Sequence, residues 1–146
     1  MKSKLRTLTY ILGATLLFAS NCVAQKVPVR IQSPSLSVNE DQTAVRFTKS
    51  LSDEIQLSGK FYYWDGKSSE FPANGVTITV RSVQVKFETG EVVGSAIFVE
   101  ASLASGKDPD YSKVVAERMW MIPKDDPVGD DTRSFLAEVN RRLERK

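Results

Sequence analysis

The stretch SVNEDQTAVRFTKSLSDEIQLSGKFYYW, residues 37–64, decides the fold. Ala44, Phe47, Leu51 and Ile55 recur on one face of a 3.6-residue period, so a helix is expected here. Ser37 and Glu40 have the S-x-x-E spacing of a capping box. Glu40 and Asp41 then stand in the first turn, where the helix dipole favours negative charge. Gly59 is expected to close the helix as a left-handed cap. Lys60 to Trp64 is aromatic and β-prone, so a strand follows the helix at once.

Working outward, Val27, Val29 and Ile31 alternate with Pro28 and Arg30, a strand that Ser33-Pro34-Ser35 ends. An edge position is expected for it, because proline cannot donate to a ladder. Asp65-Gly66 reads as a turn and Lys67 to Gly75 as an exposed loop. Val76, Ile78 and Val80 point one way, and Val83, Val85 and Phe87 the other. A bulge at Arg81-Ser82 would reverse the alternation within one long strand. After a turn at Thr89-Gly90-Glu91, Ile97, Val99, Ala101 and Leu103 mark another strand. Ser105 to Asp110 is a loop. Val114 to Ile122 is the last strand, with Val115, Met119 and Met121 on one side and Val114, Ala116, Trp120 and Ile122 on the other. Asp130 or Asp131 is expected to cap a final helix. Phe135, Leu136, Val139 and Leu143 form its apolar stripe, and Arg141, Arg142, Arg145 and Lys146 suit its C-terminal dipole. The order is β-α-β-β-β-β-α. The fold class expected is α+β, a two-layer α/β sandwich of one mixed sheet with both helices on one face.

Residues 1–24 read as a secretory signal peptide, and 25–146 as a single α/β domain. Lys2, Lys4 and Arg6 precede an uncharged apolar run from Leu8 to Ala19, and Cys22-Val23-Ala24 is a small-residue exit before Gln25. The run falls short of the roughly twenty residues a membrane span needs. No membrane span is therefore expected once the signal is gone. Lipid anchoring through Cys22 is disfavoured, because Ala19 and Asn21 fit a lipoprotein signal poorly. The protein is expected in the bacterial periplasm or outside the cell. Cleavage after Ala24 removes the only cysteine of the chain, so the exported domain has no disulfide. It also removes three cations and turns the formal charge of +2 slightly negative. No basic field remains to attract nucleic acid.

Composition excludes more chemistry. The chain has no histidine, which removes Ser-His-Asp and Cys-His catalysis and imidazole metal sites. Gly66-Lys67-Ser68 lacks the upstream glycine of a phosphate loop, since Phe61 occupies that position. Asp125, Asp126, Asp130 and Asp131 miss the spacing of a calcium loop and read as a solvated linker with a helix cap. Acid pairs such as Glu70 with Glu100 have no geometry to recommend them. No catalytic residue, no metal site and no cofactor is expected, and the protein is not expected to be an enzyme.

The aromatics offer a binding surface. Phe61, Tyr62, Tyr63 and Trp64 are consecutive, so a strand divides them across the two faces of a sheet. Tyr62 and Trp64, joined by Trp120, are the candidate binding residues if the face away from the helices is bare. Ordinary cross-strand packing is the competing account.

Arg46-Phe47 through Leu51 and Ile55 to Ser58-Gly59-Lys60-Phe61 resembles the helix–Ser-Gly-basic-Phe–strand step in amino-terminal domains of TolB-type periplasmic proteins. Outer-membrane assembly lipoproteins of the LpoB and CsgG kind have a similar β-α-β start. The similarity covers about twenty residues and the element order. It implies binding or scaffolding within the envelope, and it carries over no functional residue. The expected function is that of an exported, non-catalytic binding or scaffold domain contacting another envelope protein. A small-ligand or glycan module using exposed sheet aromatics is the alternative. The sequence leaves the oligomeric state open.

Overall fold

A computed structural model describes residues 25–32, 41–66, 70–104 and 113–145. The elements are β1 (Val27–Gln32), α1 (Gln42–Leu57), β2 (Phe61–Tyr63), β3 (Val76–Lys86), β4 (Val92–Leu103), β5 (Lys113–Pro123) and α2 (Gly129–Glu144). The proposed signal, the Ser37–Glu40 capping box, Lys67-Ser68 and the Ser105–Asp110 loop lie outside the described residues. The five strands form one mixed sheet in the order β2-β1-β3-β4-β5. β1 runs parallel to β2 and β3, while β3-β4-β5 is an antiparallel meander. The α+β class, the mixed sheet and the element order are those expected.

Alternation along the strands sets the core. Val29, Val76, Ile78, Val80, Ile97, Val99 and Ala101 turn to one face and are buried. α1 covers that face with Ala44, Phe47, Leu51 and Ile55, each fully buried. α2 adds Phe135, Leu136 and Val139. The helices are tied to each other by Ser50 Oγ and Thr132 Oγ1 at 2.9 Å and by an Arg133–Glu54 ion pair at 3.0 Å. Arg46 of α1 donates to the carbonyls of Lys124 and Asp126, which fixes the β5–α2 connection.

Several local expectations are corrected. β1 is interior, between β2 and β3. Proline is tolerated there because pairing with β3 begins only at Val29, opposite Val76. The ladder to β2 pairs Val27 to Val29 with Phe61 to Tyr63, and it is extended at its ends by Val27 N, donating to Lys60 O, and Trp64 N, donating to Val29 O. Asp41 is the N-cap of α1, not a first-turn residue; its Oδ1 accepts from the amides of Thr43 and Ala44. Ser95 Oγ donates to the same oxygen at 2.8 Å. Gly59 is not in the left-handed region. Ser58 ends the helix instead, and its Oγ accepts from the amides of Lys60 and Phe61. Asp130 and Asp131 do not cap α2: Val128 holds that position without a side-chain bond, and both aspartates lie in the first turn.

β3 has no bulge at Arg81-Ser82. It pairs with β4 without interruption from Val76 to Val85, and the register shifts only at Val85/Lys86. The reversal of hydrophobicity is real, but the backbone does not follow it. Val83 and Val85 therefore turn away from the helices, on the same side as Thr77, Thr79 and Arg81. A second shift, at Ala101/Ser102 against β5, brings Val115 into the core and leaves Val114 exposed on the other side.

Candidate functional site

Among the described residues, the face of the sheet away from the helices is covered at one end and bare at the other. Over β1 and β2 it is closed by the chain leaving β2. Arg30 donates from Nε to Thr77 Oγ1 at 2.8 Å, and its guanidinium lies 4.3 Å from the centroid of the Phe71 ring. Phe71 in turn meets Trp64 edge-on at 5.2 Å. Gly75 permits this: a Cβ there would lie 2.5 Å from the Phe71 ring. Cation–π and aromatic contacts of this kind hold a loop down on a sheet.

Over β3, β4 and β5 no such cover exists among the described residues. Cross-strand partners form rows: Val83–Ala96–Met121, Arg81–Phe98–Met119 and Thr79–Glu100–Glu117. Val83 is 61% exposed, Phe98 42%, Met119 59% and Met121 61%. Exposed apolar side chains scattered singly mean nothing, whereas neighbours on three strands form a patch. Beside it the sheet encloses a concavity of about 400 Å³, lined chiefly by Thr79, Arg81, Phe98, Glu100, Glu117 and Met119. Gly94 lets β4 and β5 approach at the end of this patch, since a Cβ there would meet the Ile122 carbonyl oxygen at 2.4 Å.

The three residues expected to bind are not brought together. Tyr62 is 41% exposed, on the face of β2 turned away from the helices, at its covered end. Trp64 is packed on Phe71. Trp120 lies on the opposite face, among the helices, with its ring 5.4 Å from Phe47 and 6.0 Å from Phe135. Its placement on a helix-free face is therefore corrected: pairing of Trp120 with Ile97 gives it the parity of the core. The same register exposes Met119 and Met121. The sequence carried that signal, because the two methionines alternate with the tryptophan.

Displaced titration belongs to the helix side. Glu138 is 8% exposed and accepts from Arg142 at 2.5 Å and Arg118 at 2.7 Å. The Arg142 bond, reinforced by Arg118, outweighs burial and holds this carboxyl below the usual glutamate range. Among the described residues no group of three or more His, Cys, Asp or Glu side chains could hold a metal ion. No helix there is long and apolar enough to cross a membrane. The sequence matches no protein-family model, and comparison with curated proteins gives no match.

Proposed function

We propose that this chain is an exported, non-catalytic binding or scaffold domain that contacts another protein of the cell envelope through the bare face of β3, β4 and β5. The observation that carries the reading is the contiguous apolar patch of Val83, Phe98, Met119 and Met121, exposed on a surface where the rest of the fold has buried its apolar stripes. Aromatic and methionine side chains are favoured at the centres of protein interfaces. The pattern of residues 1–24 supports export, and the resemblance to TolB-type and LpoB- or CsgG-type domains supports an envelope setting.

Pull-down from the native envelope tests this. The wild-type protein should capture a partner, and Met119→Glu should lose it while melting like the wild type. Equal capture by both proteins would sink the assignment of the face. The small-ligand or glycan reading has one observation in its favour, the concavity beside Phe98. Calorimetric titration with glycans should give heat that Phe98→Ala abolishes, and absence of heat removes that reading.

A further inference from the structure

β5 is the last strand of the sheet, and among the described residues nothing pairs with its outer side. The ladder fixes which backbone groups face outward. Residues that exchange hydrogen bonds alternate along an antiparallel pair. Lys124 N donates to Val93 O at 2.9 Å, in register with the pairs Ser95–Ile122, Ile97–Trp120 and Val99–Arg118. Arg118, Trp120 and Ile122 therefore bond to β4, and Glu117, Met119 and Met121 turn their N–H and C=O outward. The bond from Ala104 N to Gly75 O at 2.9 Å gives the same parity from the other side of β4. The three residues with outward backbone groups are thus the three whose side chains stand on the bare face. Proteins commonly blunt a sheet edge with lysine, proline or a bulge. In β5, Lys113 and the register shift at Ala101/Ser102 stand at one end and Pro123 at the other. Ala116 to Ile122 carries none of these, and Arg118, turned to the helix side, is neutralised by Glu138.

We infer that the envelope partner engages this domain by adding an extended segment as a further strand, antiparallel along the outer side of β5. The inference rests on the reading of the bare face as a contact surface, and it names how the partner is held and which side chains it brings. In strand addition, main-chain hydrogen bonds give affinity and alternate side chains give specificity. Here both lie on the same three residues. The added strand bonds to the backbone of Glu117, Met119 and Met121, and its side chains opposite them continue the bare face outward. Antiparallel addition continues the β3-β4-β5 meander, and antiparallel pairing is the more stable per residue.

The side chains of β5 select the chemistry of that segment. On its inner side Glu117 has Glu100 as its direct cross-strand neighbour, and like charges so placed repel. Neither carboxylate has an ion-pair partner among the described residues. A lysine or arginine opposite Glu117 on the outer side offsets the repulsion, at a Cα separation of about 5.5 Å for a hydrogen-bonded pair. Met119 and Met121 are exposed, and apolar residues opposite them bury part of each and widen the patch. Read from its N-terminus, the antiparallel segment is therefore apolar–x–apolar–x–basic, meeting Met121, Met119 and Glu117 in turn.

A synthetic peptide tests the proposal. It alternates valine with threonine, both β-prone, and carries lysine at the basic position. Fluorescence anisotropy of the labelled peptide with purified protein should show saturable binding. Glutamate in place of the lysine should weaken it about tenfold or more, and Glu117→Lys should reverse that preference. N-methylation of the valine opposite Met119 removes a donor to β5 and should abolish binding. N-methylation of the next residue, whose N–H points away, should leave it within a few-fold. Amide exchange followed by NMR gives a second readout. Glu117, Met119 and Met121 should exchange fast in the free protein and at least about tenfold more slowly with peptide, while Arg118, Trp120 and Ile122 are slow throughout. Slow exchange of all three outward amides in the free protein overturns the open edge. Absent binding, or binding indifferent to the site of N-methylation, overturns strand addition, and indifference to Glu117→Lys overturns the basic residue. If the peptide fails but envelope capture still depends on Met119, the contact face stands and only strand addition falls. If capture is also blind to Met119→Glu, the contact reading falls with it.

Discussion

Glu138 is the residue whose chemistry is most constrained by its neighbours. Its carboxylate joins α2 to β5 through Arg118 and to the next turn of α2 through Arg142. Its folded-state pKa lies below the unfolded value. Such a group stabilises the fold fully above the ordinary glutamate pKa, and this contribution is lost as pH falls through the depressed folded value. Glu138→Gln should therefore lower the unfolding free energy at neutral pH by on the order of 1 kcal/mol, since both arginines are partly solvated. The two proteins should converge in acid, and urea titrations across pH measure this. A deficit that persists at low pH would mean the loss comes from packing. At this scale the sequence is only partly legible. Asp41 is recognisable as an acid near a helix start, but its bond to Ser95 spans 54 positions, and local spacing carries no trace of it. Ser58 replaced Gly59 as the helix stop because a hydroxyl can collect two following amides.

Among the elements, β5 shows what alternation can and cannot decide. Trp120 and Met119 are adjacent, and the register sends one into the core and the other to the bare face. Trp120→Ala should cost about 3 kcal/mol, the low end of the range for truncating a large aromatic, because Trp120 is only partly buried against the core. Phe98→Ala, on the bare face, should cost under about 1 kcal/mol. Chemical denaturation compares them directly, and equal losses would contradict the assignment of faces. The stripes of both helices and the order of the elements along the chain were legible because burial imposes periods of 3.6 and 2. β3 was harder. Its apolar residues change parity at Val83, and a bulge would keep all of them inside. The backbone stays regular through Val85 instead. A violated local rule of this sort is expected where a surface has a use beyond folding. The position of β1 was missed because a proline was taken to exclude an interior strand, whereas β3 starts after it.

For the whole molecule, the layer arrangement concentrates function by elimination. Among the described residues, two helices fill one side of the sheet, the Arg30–Phe71–Trp64 stack closes the β1 end of the other, and the outer face of β3, β4 and β5 is left without cover. The chemistry available there is apolar contact with a few charges, and the chain has no histidine. The account therefore rests on contact through that face. Its most direct test is a photo-crosslinking amino acid placed at Met119 and, as a control, at Ala137, an exposed position on α2, in cells of the native host. Crosslinks to a defined protein from position 119 and none from 137 are predicted. Crosslinks from 137 alone, or the same products from both positions, would contradict the account.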